Sequence, residues 1–275
     1  MDLVGVIHLL PLPAGPVASP GLGPVLDRAR SDARALVKGG LRAAIIENLG
    51  DAPFSQGRVE PHVPAMMATI GRAIIQETGG SLALGVNVLR NDARASLGVA
   101  AAVGGAFVRV NVHVGAAWTD QGLIQGDAMA TLRYRRELGL EPPGGPLPAG
   151  WLRSGPQGLR ICADVHVKHA TPAGSESIGD SAADVVLRGR ADVIIVSGRH
   201  TGGATDMADV RAVRERVGAT PVWIGSGVEP STVHALAGAV DGAIVGTWLH
   251  TEGDLGAPVD EERVRWLVET VAAFD

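Results

Sequence analysis

Cysteine and lysine are scarce in this sequence. Among its 275 residues there is one cysteine, Cys162, and only two of the 24 basic residues are lysines, Lys38 and Lys168. A single thiol closes neither an internal disulfide nor a thiolate metal cluster, so Cys162 reads as a small buried hydrophobe and a reducing compartment is compatible with it. Basic runs are missing too. A net charge of -5, thinly spread, speaks against a nucleic-acid surface, because phosphate binding by charge needs clustered Arg or Lys. The apolar run over residues 3–12 is too short for a bilayer and follows no basic stretch, so neither a transmembrane segment nor a signal peptide is expected, and the location expected is cytoplasmic. Long polar tracts are also lacking. With 46% hydrophobic and 19% charged residues, the chain reads as one compact domain over residues 1–275.

What is present is an alternation. Short β-rich runs at 3–7, 41–46, 82–88, 106–112, 159–167, 192–196, 221–224 and 242–245 give eight strand candidates. Apolar residues between them recur at helical spacing, as in Val25, Ala29, Ala33, Leu36 and Val37, or Val210, Val213 and Val217, or Val264, Leu267, Val268 and Val271. Eight strand-then-helix units in a chain of this size predict an α/β fold, a single (β/α)8 TIM barrel. An open Rossmann-like sheet would want a Gly-x-Gly-x-x-Gly turn after the first strand, where His8-Leu9-Leu10-Pro11 stands instead. Residues 141–158, rich in Pro and Gly, form an insertion between strands 4 and 5. It reads either as a flap near the active face or as an irregular surface excursion. The proline-rich loop 11–24 is placed to cover the barrel mouth.

Of the two lysines, Lys38 precedes Gly39-Gly40 at the end of a helical stretch, where a cation suits the helix C-terminus. Lys168 has no such role. It ends Asp164-Val165-His166-Val167-Lys168, whose alternation puts Val165 and Val167 on one face and Cys162, Asp164, His166 and Lys168 on the other. The fourth strand repeats this with Phe107, Arg109, Asn111 and His113 inward. Inward polar groups in a barrel are costly unless paired or hydrated at the mouth. Glu47, Asn48 and Asp51 after strand two join them there, as do Asn87, Arg90, Asn91 and Asp92 after strand three, and His8 at the end of strand one. Simpler roles stand beside these: Asp92 as the N-cap of the helix from Ala93, and Arg109 as an ion-pair partner of Glu47 or Asp164.

Two glycine turns complete the pattern. Gly225-Ser226-Gly227 follows strand seven and leads to Pro230, and Gly246-Thr247 follows strand eight. Barrel loops at these positions bind phosphate through backbone N–H groups, although glycines also simply make tight turns. The expected ligand is a small phosphorylated metabolite, held by Gly225, Ser226, Gly227, Gly246 and Thr247. Chemistry is expected at Asp164, His166, Lys168, Glu47, Arg109 and Asn111, by acid–base or Schiff-base steps. His8, Asn87, Arg90, Asn91 and Asp120 are candidate substrate contacts. A divalent metal, Zn or Mn, is the alternative centre, with His8, His113, Asp164 and His166 as ligand types.

The stretches Gly5-Val6-Ile7-His8-Leu9-Leu10-Pro11, Glu47-Asn48-Leu49-Gly50-Asp51-Ala52-Pro53-Phe54 and Gly85-Val86-Asn87-Val88-Leu89-Arg90-Asn91-Asp92 closely resemble the BtpA/SgcQ family. So do Thr119-Asp120-Gln121-Gly122, Asp164-Val165-His166-Val167-Lys168-His169 and the two glycine turns. The resemblance implies a barrel of the ribulose-phosphate-binding type, with relatives that look like enzymes of sugar or nucleoside metabolism. Together with the site residues it leads to the expectation of a lyase, isomerase or glycosyl-bond enzyme acting on a phosphorylated metabolite. The family name also implies the alternative of a non-enzymatic photosystem I biogenesis-type assembly factor. A homo-oligomer is compatible with either. The sequence departs from the family pattern in the 141–158 insertion and in Ser197-Gly198-Arg199-His200-Thr201-Gly202.

Overall fold

Eight parallel strands close on themselves in the computed structural model, which describes residues 1–274 except 145–146, 148–149, 154–156, 175, 199–202, 204 and 237. The barrel strands are β1 (Asp2–His8), β2 (Ala43–Glu47), β3 (Ala83–Asn87), β4 (Phe107–Val110), β7 (Arg160–Val165), β9 (Val193–Val196), β10 (Val222–Ile224) and β11 (Gly242–Val245). They pair in that order, and β11 returns to β1 with Gly5 opposite Val245. Helices α1 (Leu22–Lys38), α2 (His62–Glu77), α3 (Ala93–Val103), α4 (Ala128–Glu137), α5 (Ile178–Leu187), α6 (Met207–Val217), α7 (Pro230–Leu236) and α8 (Glu261–Ala272) lie between and after them. The TIM barrel expected from the alternation is therefore formed. The predicted helix stripes are the buried faces: Val25, Ala29, Ala33 and Leu36 of α1, and Val210, Val213 and Val217 of α6. Lys38 is the basic residue in the last turn of α1, which Gly39 and Gly40 end. Among the described residues no helix is long and apolar enough to cross a membrane.

The barrel interior fills in tiers. Val4, Val6, Ala43, Ile45, Phe107, Cys162, Val193, Ile195, Trp223 and Ile244 form one apolar cluster inside the strands. Two glycines make room for its large rings. A Cβ on Gly85 would overlap the Phe107 ring, and one on Gly242 would come within 2.5 Å of Trp223 Nε1. Trp151, from the long connection before β7, stacks on Trp223 at 6.0 Å and 14°, and meets Phe107 edge-on. Trp151 and Leu152 of the 141–158 segment thus pack under the N-terminal end of the barrel, away from the mouth where a flap reading would put them. They do so because the segment links a helix to the next strand, and such links lie at the end where strands begin.

A small antiparallel sheet, unforeseen in the sequence, stands beside the mouth. Its strands are β5 (Ala116–Thr119), β6 (Gly122–Gln125) and β8 (Ala170–Pro172), in the order β6-β5-β8. The β5–β6 turn is Asp120-Gln121, and Gly122 takes φ +100° there. The loop expected at 11–24 ends where α1 begins at Leu22, and it is tied down by Asp51, whose carboxylate accepts from Leu12 N–H at 2.8 Å.

Candidate active site

Parallel register sets the polar tier. His8 lies opposite Glu47, and Glu47 opposite Asn87. Arg109 lies opposite Cys162, one pleat below Asp164. Side chains that continue the inward alternation above the apolar cluster therefore meet at the C-terminal strand ends.

Arg109 is the hub of this tier. Its Nε and one Nη donate to the two oxygens of Asp164, both at 2.8 Å, and the other Nη donates to Glu47 at 3.2 Å. Asn87 donates to Glu47 at 3.1 Å, while Asn111 and Ser197 donate to Asp164 at 3.0 and 3.1 Å. All but Ser197 are buried. Removing these charges from water is costly, and the forked guanidinium geometry with its extra hydrogen bonds is what makes the burial tolerable. Burial alone would lift the Glu47 carboxyl, but Arg109, His8, Lys168 and the Asn87 hydrogen bond outweigh it and hold it below the ordinary range. The ion-pair role considered for Arg109 is thus realised with both carboxylates at once.

Above this tier opens a cavity of about 400 Å³. His8, Glu47, Arg109 and Lys168 line it together with Gly225-Ser226-Gly227 and Gly246-Thr247. Burial, and next to it Arg109, push the Lys168 amine below its ordinary value, and Glu47 and Asp164 only partly oppose them. No salt bridge to Lys168 forms among the described residues. Burial holds the His8 ring at about 3, far below an ordinary imidazole.

The glycine turns are tightly confined by their neighbours. A Cβ on Gly225 would strike Ser197 Oγ and approach Arg109, and one on Gly246 would lie 2.8 Å from His8 Cε1. Ser226 Oγ accepts from Gly198 N–H at 2.7 Å.

The structure separates other expected members. Both His113 and His166 follow the last paired residues of their strands, Val110 and Val165, so strand alternation no longer governs them. His113 Nε2 instead meets the Gly189 carbonyl at 2.8 Å. His166 adopts φ +48° and turns its Nε2 to Ser181 Oγ at 3.0 Å, on the α5 side. The expected convergence of Asp164, His166 and Lys168 in one cavity is not formed: Lys168 lines the cavity, while Asp164, locked on Arg109, and His166 both border a separate pocket of about 210 Å³. The four ligand types considered for a metal do not converge either, and among the described residues no group of three His, Cys, Asp or Glu is placed to hold one.

Of the candidate substrate contacts, only His8 lines the cavity. Asn87 supports Glu47, and Arg90 donates to the Lys168 carbonyl at 2.8 Å, fixing the backbone that carries the amine. Asn91 pairs with both backbone groups of Val112. Asp120 sits at the exposed β5–β6 turn. Asp92 caps α3, accepting from Ala95 N–H at 2.8 Å, and also accepts from Val59 N–H. Asn48 links two loops, through Leu89 N–H and Asp51.

Sequence reading missed His250, Arg263 and Ser197. His250 is buried against His8. Arg263, in the first turn of α8, lines the cavity with its guanidinium 3.8 Å over the Trp248 ring and its Nε donating to the Trp248 carbonyl. Of the departure noted at 197–202, residues 199–202 lie outside the described residues.

The chain is 38% identical to the photosystem I biogenesis protein BtpA of Synechocystis over 98% of its length and 88% of that protein. It is 39% identical to an uncharacterized protein of Pyrococcus furiosus over 97% of its length and 93% of that protein. In fold it is similar to 3-hexulose-6-phosphate synthase from Salmonella typhimurium, with a TM-score of 0.60 at 13% identity, over the whole of both chains. The BtpA family model matches residues 1–273, and the chain belongs to the BtpA family.

Proposed function

We propose that this chain is an enzyme acting on a phosphorylated sugar or nucleoside-derived metabolite. The phosphate sits on the Gly225-Ser226-Gly227 and Gly246-Thr247 turns, and the reacting end lies at Lys168. The observation that carries this reading is the sharing of one cavity by both turns and by an amine held below its ordinary protonation range. Glycine turns let backbone N–H groups approach an anion, and Arg263 adds a cation on that side against the rim carboxylates Glu229 and Glu252. Fold neighbours named as enzymes of phosphorylated sugars, such as 3-hexulose-6-phosphate synthase, fit the same reading.

In the reaction, Lys168 Nζ attacks the carbonyl carbon of the substrate. A C–N bond forms, and the carbonyl oxygen leaves as water with the two amine hydrogens, giving an imine that draws electrons from the neighbouring carbon. Glu47, ionised and on the cavity wall, takes a proton from that carbon. Arg109, with Asp164, Asn87, Asn111 and Ser197, fixes Glu47 in position; His166 has no step.

Borohydride reduction in the presence of ribose 5-phosphate and related phosphorylated carbonyl compounds tests the amine. The expected result is a stable adduct mapped to Lys168 and absent from Lys168→Met. If no carbonyl phosphate gives an adduct there, the Schiff-base step is excluded. An assembly role, in the sense of the Synechocystis relative's name, would survive Lys168→Met in a complementation assay, whereas the enzyme reading predicts its loss.

A further inference from the structure

Two histidines far apart in sequence determine how the cavity meets a ligand. His250 is fully buried, and its Nδ1 lies 2.7 Å from the Ala257 carbonyl oxygen. A carbonyl only accepts, so Nδ1 carries the hydrogen and Nε2 of the neutral ring carries a lone pair. That Nε2 lies 3.1 Å from His8 Nδ1. His8 must then donate from Nδ1, which leaves its own Nε2 as the ring nitrogen with a lone pair. The Nε2–Cε1 edge borders Gly246, where the missing Cβ keeps it open to the cavity that His8 lines.

We propose that His8 meets the bound metabolite as a hydrogen-bond acceptor, held in one tautomer by His250, and that the site therefore takes a phosphorylated sugar whose hydroxyl hydrogen points at His8 Nε2. His250 is a positioning residue that reaches the ligand only through His8. The inference rests on the reading that a phosphate occupies the glycine turns, and it narrows that reading to a polyhydroxylated ligand.

The surroundings keep both rings neutral. Around His8, burial is opposed by Glu47 of β2 and supported by Lys168, Arg109 and His250. For His250, burial outweighs the hydrogen bond to the Ala257 carbonyl, Asp32 of α1 and Asp254, and Arg28 of α1 acts with burial. A cationic His250 would reverse the relay by making His8 Nδ1 the acceptor, and the lowered values oppose it.

Two measurements on the full chain test this. Nitrogen-15 NMR of the histidine rings at neutral pH is expected to show His8 with a protonated Nδ1 and an unprotonated Nε2; a protonated His8 Nε2 would overturn the proposal without any variant. Titration with inorganic phosphate and with ribose 5-phosphate, followed by backbone amide shifts, is expected to show tighter binding of the sugar. His250→Phe, which keeps ring volume but removes the acceptor, is expected to lose about tenfold in ribose 5-phosphate affinity, the worth of one hydrogen bond. His250→Gln, whose amide can donate to Ala257 and accept from His8, should recover it. Equal affinity of the wild type for both probes, or unchanged sugar binding in His250→Phe, overturns the proposal. If inorganic phosphate leaves Gly225-Ser226-Gly227 and Gly246-Thr247 unmoved, it is the phosphate reading that fails, whatever the tautomer.

Discussion

Arg109 is the side chain on which the polar tier depends, because it neutralises two buried carboxylates that would otherwise face one another. Arg109→Met is expected to destabilise the fold by about 3–5 kcal/mol in urea unfolding. Arg109→Lys should rescue little, since a single ammonium cannot fork onto Asp164 while reaching Glu47. His8 makes a second residue-level prediction. Its folded value of about 3 lies below the ordinary 6.5, so below pH 6.5 the unfolded chain binds a proton that the folded chain refuses. Stability present at neutral pH is therefore lost as pH falls from 6.5 toward 3, by up to about 1.4 kcal/mol per pH unit for this ring. Unfolding curves at pH 7, 6 and 5 should show a shallower acid loss in His8→Asn. The Lys168 amine, lowered from 10.5, should react with carbonyl compounds at pH values where an exposed lysine is inert.

Among the elements, α3 offers the cleanest test. Asp92→Ala removes a cap and also strips Val59 N–H of its partner, so a loss of about 1–3 kcal/mol is expected, with only the cap restored in Asp92→Asn, whose single carbonyl oxygen cannot serve both N–H donors. Strand alternation was a sound guide as long as a ladder was present. Phe107, Arg109, Cys162 and Asp164 all lie inward as their spacing says. Beyond Val110 and Val165 the pairing stops. The same spacing then misplaced His113 and His166, because period two describes a pleated strand and nothing else. The sheet of β5, β6 and β8 went unread for a related reason. Strands of three or four residues hold too few alternations to stand out, and the exposed Trp118 of β5 breaks the expectation that an aromatic marks a buried face.

At the scale of the molecule the barrel was legible because each strand run was followed by an apolar helix stripe, and that rhythm repeats around the ring. The two glycine turns were legible as local motifs that end strands. The His8–His250 pair was not, since 242 residues separate its members and no local pattern encodes a contact made by ring closure. Arg263 was hidden likewise, in the first turn of the last helix. If the mouth binds phosphate, the whole fold should feel it: at a concentration one hundred times the Kd, inorganic phosphate should add about 2.7 kcal/mol to unfolding stability, read as a rising Tm.

The stacked pair Trp151 and Trp223, with Phe107 edge-on to both, fills the barrel on the side away from the cavity, so that among the described residues the mouth is the way in. Whatever enters must leave along the same path, so two fragments of a cleaved molecule cannot depart independently when one lies beneath the other. The fragment nearer the opening exits first, and an added excess of it should trap its deeper companion inside.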